Sequence, residues 1–327
     1  MPTPTPAPRL VFGSSQSGSS TGLGYHPDLP DFRDNVLHVD AKDAAKSSLP
    51  SFRNFREQWR EVLKRSGAIE VFAPGKSASL PKSVDFRDTG CLSPVENQGQ
   101  TNACTAYSTI GAVEYLMRLG GAGSEDVSAA FLYHNTRRLL NWYGDTGAYV
   151  RTTVKALRLF GVPPDATWPM EPAHIDGPPD AFTYGYAGNF KNLNYARLDG
   201  YDAGHTGATT LASLKRLLAD GIPAVFGFPV YESFVDVKPT TTAPTPVIPF
   251  PGSGERLLGG HAVVAVGYDD SVESNVGKGG ILIRNSWGPD WGDGGYAYLP
   301  YFYFEQQFAV DVWALYSLDW LDLSAFG

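Results

Sequence analysis

The clearest alternation of apolar and polar positions lies within residues 51–66. Five large apolar residues recur there at i, i+3, i+7, i+10 and i+11, namely Phe52, Phe55, Trp59, Val62 and Leu63. This spacing predicts an α-helix with one apolar face and an opposite face of Arg, Lys and Glu residues. Three interpretations remain open: a pro-segment helix that docks on the following domain, an ordinary surface helix, or a helix on a membrane surface.

A second unit begins near residue 80, and its pattern changes halfway. Helices are predicted over 104–119, 128–140, 148–160 and 211–219, and strands over 222–228, 262–268, 280–284, 295–299 and 308–315. Loops rich in Pro are predicted over 162–180 and 238–254. This order favours an α+β fold with a helical lobe over about 95–205 and a β lobe over about 206–316. A functional site is expected between the lobes.

The N-terminal part of the chain has a different composition. Residues 1–24 are rich in Pro, Thr, Ser and Gly, which is typical of a disordered or loosely attached tail. Residues 25–36 contain too many prolines for a helix. We therefore expect an N-terminal extension over residues 1–79 and a single larger domain over residues 80–327.

Composition narrows the possible functions. The 327 residues are 43% apolar and carry a net charge of −8, which argues against a protein built to grip nucleic acid. No apolar run is long enough to span a membrane, and residues 1–24 lack the apolar core of a signal peptide. The sequence does not choose between a cytoplasmic protein and one exported by another route.

The two cysteines, Cys91 and Cys104, allow at most one disulfide. Cys104 follows a turn containing Gly99 and opens an apolar helix. A thiol at a helix N-terminus is favoured as thiolate by the helix dipole, and only the thiolate is a strong nucleophile. A disulfide with Cys91 would remove this thiol. The hypothesis that Cys104 is a nucleophile therefore requires that its thiol is free.

A cysteine nucleophile needs a base and a group that orients the base. His261 is the best-placed candidate, because it follows two glycines and opens the apolar strand 262–268. Asn285, at the end of another strand, can accept from one imidazole nitrogen, and Trp287 can cover the pair. Each residue alone also fits a structural role, as a half-buried histidine, a turn asparagine or a core tryptophan. The other histidines are His26, His38, His134, His174 and His205.

Together, three segments resemble the papain family of cysteine peptidases: residues 80–108 with Gln-Gly-x4-Cys-x-Ala, residues 259–268 with His-Ala, and residues 285–296 with Asn-Ser-Trp-Gly. The resemblance implies a two-lobed fold whose right lobe is an antiparallel, barrel-like sheet. It implies that Cys104 is the nucleophile, His261 its ion-paired base and Asn285 the orienter. Gln98 and the backbone N–H of Cys104 would form the oxyanion hole.

The resemblance extends less firmly to the residues that would bind substrate. Gly147 resembles the glycine whose backbone pairs with an extended peptide, and Trp287 would shield the histidine–asparagine bond. Tyr149 and Ala262 are candidates for the walls of the side-chain pockets, together with the strand at Phe226. No residue pattern indicates a metal site or a phosphate-binding loop, so no cofactor is expected.

Some positions depart from the family pattern. Thr101 stands where common members carry a disulfide cysteine, and no later partner cysteine exists. Asn102 and Ala103 replace a Gly-Ser pair, and Thr105 replaces the tryptophan after the nucleophile. The Cys-Thr-Ala sequence resembles a bacterial branch of the family and fits a chain that does not rely on disulfides.

The resemblance implies a monomeric endopeptidase that cleaves protein or peptide substrates through a thioester, made as a zymogen. We expect part of residues 1–75 to lie along or near the cleft and to restrain activity as an intramolecular inhibitor. Two other functions remain open: a binding or scaffold protein that keeps the fold without turnover, and a thiol acyltransferase acting on peptide or peptidoglycan amines.

Overall fold

The computed structural model describes residues 21–37, 39, 50–72, 80–190, 194–200 and 205–316. Most of the tail predicted over residues 1–24, and His38, therefore lie outside the described residues. The helices are α1 (Pro50–Arg65), α2 (Cys104–Gly120), α3 (Ala129–Leu139), α4 (Val150–Phe160), α5 (Pro172–Asp176), α6 (Ala181–Ala187), α7 (Gly207–Ala219), α8 (Glu232–Val235) and α9 (Phe302–Glu305). Four short 3-10 helices complete the helical part, Ala68–Glu70, Phe86–Thr89, Asp165–Thr167 and Gly188–Phe190.

The strands form one antiparallel sheet. They are β1 (Ser83–Asp85), β2 (Asn194–Arg197), β3 (Ala224–Tyr231), β4 (Leu257–Ser274), β5 (Gly277–Arg284), β6 (Tyr296–Pro300) and β7 (Val310–Tyr316). Their spatial order is β2-β7-β3-β4-β5-β6, and β1 pairs with the outer half of β4. In the described part of the chain the sheet does not close on itself, so the expectation of a barrel-like lobe is corrected to an open sheet. The α+β class and the order of a helical part followed by a β part are confirmed.

The spacing of apolar residues predicted the long helices and strands but not the short ones. The strand β4 is longer than predicted at both ends, because residues 257–261 pair with β3 and the half-buried or exposed residues 269–274 pair with β5. The prediction of a plain loop over 162–180 was wrong, since Asp165–Thr167 and α5 lie within it. The strands β1 and β2 are too short to show an alternation of their own, and they are defined by pairing with distant strands.

The helix α2 runs through the centre of the molecule and is buried along nearly all of its length. It packs against β4 on one side and against α3 and α4 on another. The ring of Tyr115 in this helix stacks on the ring of Phe86, with 4.8 Å between the two centroids. A helix that is apolar around most of its circumference is expected to be enclosed in this way. The helix therefore fixes its own first residue, Cys104, at the junction of the helical part and the sheet.

The helix α1 docks on the far end of this core through the apolar face that its sequence predicted. Phe52, Phe55 and Trp59 are buried, and both phenylalanine rings contact Tyr316 of β7. The indole N–H of Trp59 donates to the backbone oxygen of Asp220 over 2.9 Å. Because the apolar face is buried against the protein, the membrane-surface interpretation was wrong.

A buried ion pair completes the docking of α1. Arg56 contacts the carboxylate of Asp220 at 3.0 Å, and Arg216 contacts the same carboxylate at 3.2 Å. Removing one partner of such a buried group would leave the other charge uncompensated. The helix is thus integrated into the fold through both apolar and polar contacts.

Truncation of Trp59 tests whether α1 is a structural part of the domain. We expect Trp59→Ala to lower the free energy of unfolding by about 3–5 kcal/mol, because it opens a cavity and removes a buried hydrogen bond. Phe182, whose side chain is 71% exposed, is the control, and Phe182→Ala should change stability by no more than about 0.5 kcal/mol. Denaturation in urea measures both values. A loss below about 1 kcal/mol for Trp59→Ala would show that the helix only rests on the surface.

Candidate active site

Cys104 is the first residue of α2, and its side chain is completely buried. It carries a free thiol, as does Cys91, so the alternative of a disulfide between them was wrong. Backbone N–H groups near the sulfur, those of Ala262, Gly24, Thr105 and Cys104 itself, act to lower the pKa of this thiol. The thiol therefore lies between the start of α2, the residue after His261, and the N-terminal segment.

His261 and Asn285 are joined by a buried hydrogen bond. His261 Nε2 lies 2.7 Å from Asn285 Oδ1, and because that oxygen can only accept, Nε2 carries the hydrogen. His261 Nδ1 is buried and has no hydrogen-bond partner within the described residues. The ring of Trp287 lies over the imidazole, with 4.9 Å between the centroids, and it keeps water from the bond.

The amide of Gln98 connects to this pair through a residue to which sequence analysis assigned no role. Ser286 donates from Oγ to Gln98 Oε1 over 2.6 Å and from its backbone N–H to Asn285 Oδ1 over 2.8 Å. Because Oε1 of Gln98 accepts this hydrogen bond, the other end of the same amide, Nε2, faces away from Ser286 and can donate. Nε2 donates to the backbone oxygens of Thr101, at 2.7 Å, and Gly22, at 3.1 Å. The sequence offered one indication of this role, because Ser286 lies between the candidate residues Asn285 and Trp287.

The N-terminal segment crosses the cleft as an extended chain, and we call residues 21–34 the strap. Gly22 N–H donates to Gly99 O at 3.0 Å, and Tyr25 N–H donates to Gly260 O at 3.1 Å. The strap passes so closely that a Cβ on Gly24 would lie 1.8 Å from the backbone oxygen of Asn102. Glycine is required where two backbones approach in this way.

The opposite wall of the cleft is the backbone of Gly147 and Ala148, which we call the rail. Ala148 N–H donates to Gly24 O at 2.8 Å, and Ala148 O accepts from His26 N–H at 3.0 Å. Pairing with an extended chain was expected of Gly147, and the residue that makes the hydrogen bonds is Ala148. Gly147 has a φ of 78° and faces Gly24 O, which a Cβ on Gly147 would approach to 2.1 Å.

The two candidate pocket residues both lie at this cleft. Tyr149 follows the rail, and its ring is 5.8 Å from that of His26 in the strap. Ala262 pairs with Gly227 of β3. The ring of Tyr25 is buried over Gly227, where an added Cβ would lie 2.1 Å from it. One side-chain pocket of the cleft is therefore formed over Gly227 and is filled by Tyr25.

Charged side chains anchor the strap beyond the cleft. Arg151 contacts Asp28 at 2.5 Å and Asp34 at 2.8 Å, and both carboxylates belong to the strap. Arg197 donates to the backbone oxygen of Asp28 at 2.9 Å and lies 3.6 Å from Asp34. The strap is thus held by backbone pairing at one end and by two arginines at the other.

Burial under the strap determines the protonation of the site. Desolvation raises the pKa of Cys104 to about 11, although the surrounding backbone N–H groups lower it. Desolvation lowers the pKa of His261 to about 4, against the opposing hydrogen bond to Asn285. Both shifts favour the uncharged forms of the thiol and the imidazole in this conformation. The ion pair of Cys104 and His261 stays a prediction.

Within the described residues, no three His, Cys, Asp or Glu side chains gather as a metal site would require. In the same part of the chain, no helix is long and apolar enough to cross a membrane.

Comparison with known proteins agrees with this geometry. Residues 80–302, more than half of the chain, match the model of the papain family of cysteine proteases. An uncharacterized peptidase C1-like protein of Acanthamoeba polyphaga mimivirus is 29% identical over 299 residues, which cover 90% of this chain and 87% of the relative. Papain of Carica papaya is 26% identical over 290 residues, covering 81% and 72% of the two chains.

Among solved structures, xylellain, a cysteine protease from Xylella fastidiosa, superimposes with a TM-score of 0.66 and 29% identity. The superposition covers 94% of this chain and 99% of xylellain. The match of family pattern and fold shows that this chain belongs to the papain family of cysteine proteases and is a papain-like cysteine peptidase.

Proposed function

We propose that the protein hydrolyses peptide bonds through Cys104, His261 and Asn285, with Gln98 in the oxyanion hole. The observation that carries this proposal is the hydrogen bond from Gln98 Nε2 to the Gly22 carbonyl, at 3.1 Å. A peptide carbonyl therefore already accepts a hydrogen bond from the group that would stabilise the oxyanion of a substrate. The sulfur of Cys104 is close to the same strap, since the backbone N–H of Gly24 contributes to lowering the pKa of its thiol.

The reaction would proceed in two halves. His261 Nδ1 takes the thiol proton of Cys104, and Sγ attacks the carbonyl carbon while Gln98 Nε2–H and the Cys104 N–H stabilise the oxyanion. Collapse breaks the C–N bond, His261 gives its proton to the leaving amine, and a thioester remains. Neutral His261 then takes a proton from water, which attacks the thioester and releases the acid and the thiol.

The strap restrains this reaction in two ways. Its backbone uses the rail and Gln98, which a substrate would need, and it buries the thiol whose ionisation the reaction requires. Since residues 22–26 make these contacts while α1 packs far from the cleft, the restraint belongs to the strap. We propose that the enzyme is latent until the strap leaves the cleft.

Labelling tests the identity of the nucleophile. An epoxysuccinyl inhibitor should modify the wild-type chain at Cys104 slowly, whenever the strap leaves the cleft, and Cys104→Ala should abolish modification because the other thiol, Cys91, contacts the backbone oxygen of Thr89 and not the residues of the site. Cys91→Ala is the matched control and should leave labelling unchanged. Intact mass and peptide mapping measure the adduct; an adduct that persists in Cys104→Ala would exclude the assignment.

A single methyl group tests the restraint by the strap. Gly24→Ala places a Cβ 1.8 Å from Asn102 O, and such overpacking costs about 1–3 kcal/mol, so the strap should leave the cleft more often. Hydrolysis of a fluorogenic peptide should rise about 10-fold. Gly185→Ala is the control, since a Cβ there meets nothing within 4 Å. Equal rates for Gly24→Ala and wild type would contradict latency.

The pH dependence of thiol alkylation tests the effect of burial. In the closed wild type the rate with iodoacetamide should rise only as pH approaches about 11, where Cys104 ionises. Opening the cleft restores water to the thiolate and lowers its pKa, so Gly24→Ala should react fully at lower pH. Quenching the alkylation at successive times and measuring the adduct on Cys104 by mass spectrometry gives the rate against pH for both proteins. Superimposable profiles would show that the strap does not set the pKa of the thiol.

A further inference from the structure

Asp145 connects two loops of the cleft that are far apart in sequence. Its carboxylate accepts from the backbone N–H of Asn102 at 2.9 and 3.0 Å. Its backbone oxygen accepts from the side-chain amide of Asn102 at 2.8 Å. Asn102 stands two residues before Cys104, so these bonds hold the segment that leads into the nucleophile.

The same carboxylate is linked to the rail through Tyr133. The hydroxyl of Tyr133 donates to Asp145 Oδ1 over 2.7 Å and accepts from Gly147 N–H over 2.8 Å. Tyr133 is buried, and burial together with Asp145 raises the pKa of its hydroxyl, which stays protonated. Two hydrogen bonds in series therefore run from Asp145 to the rail.

These hydrogen bonds join the loop that leads into Cys104 to the rail. Cys91 and Cys104 are both free, so no disulfide joins these two loops. The nucleophile loop and the rail still need a fixed separation, because one holds the attacking sulfur and the other would hold the peptide. A misplacement of about 1 Å between reacting groups can cost about 100-fold in rate.

We propose that Asp145 is a positioning residue that fixes the spacing between Cys104 and the rail by hydrogen bonds instead of a covalent bond. It acts through Asn102 and Tyr133 and does not touch the reacting atoms. The inference rests on the proposed peptidase function. It predicts that loss of Asp145 impairs the attack on a bound peptide and leaves the reactivity of the thiol intact.

The test uses the full-length chain carrying Gly24→Ala, so that the cleft is accessible. In this parent, Asp145→Ala should lower kcat/KM for a fluorogenic peptide at least about 10-fold, because peptide and sulfur are no longer held together. Alkylation of Cys104 by iodoacetamide, which does not need the rail, should stay within about 2-fold of the parent. Asp145→Asn keeps one acceptor oxygen and should restore part of the peptide activity, and Tyr133→Phe should show a smaller loss than Asp145→Ala.

Asp180→Ala is the matched control, since Asp180 also accepts from a backbone N–H, that of Thr183 at 2.8 Å, at the start of α6. It should leave both rates unchanged. Parent-like peptide turnover in Asp145→Ala overturns the inference, as does an equal loss of turnover and alkylation accompanied by a lower melting temperature. A parent that alkylates at Cys104 yet hydrolyses no peptide overturns the proposed function, and the inference with it.

Discussion

The antiparallel pairing of β4 with β5 is the constraint on which the site depends. His261 lies in β4, Asn285 follows the last residue of β5, and the register sets Val264 opposite Arg284. The two side chains can therefore meet over 2.7 Å only while this register holds. The helix α2 packs against the same strand, and the backbone N–H of Ala262 in that strand acts to lower the pKa of the Cys104 thiol. One sheet register thus brings together residues from three distant parts of the chain, and a slip by one residue would turn His261 to the other face.

The strap would add a second layer of control, because in the proposed latent state it acts on solvation as well as on access. Burial removes a thiol and an imidazole from water, and this disfavours the charged form of each group relative to the neutral form. In the proposed latent state, backbone pairing with the rail would block the cleft and suppress the nucleophile with the same contacts. The strap is fitted for this by Gly22 and Gly24, which let its backbone approach the residues before Cys104. The cluster of Arg151 with Asp28 and Asp34 supplies a separate anchor outside the cleft.

The sequence predicted those features that leave a local pattern. The apolar face of α1 and the long helices follow from periodicity, and Cys104, His261 and Asn285 stand in recognisable motifs. The partner of α1 could not be predicted, because its periodicity defines a face and not the surface that covers it. The path of the strap has no periodic signal, since glycines at 22 and 24 resemble linker composition until the opposing backbone is known. The role of Asp145 was hidden for the same reason, since its partner Asn102 lies 43 residues away.

Amide hydrogen exchange of the full-length protein tests most directly whether the strap closes the cleft by backbone pairing. The N–H groups of Gly22, Tyr25, His26 and Ala148 all donate across the interface between strap and cleft. They should be protected in the resting protein and should lose protection once an epoxysuccinyl inhibitor occupies Cys104, while amides shared by β3 and β4 stay protected. Strap amides that exchange at the rate of a free peptide in the resting protein would contradict the account.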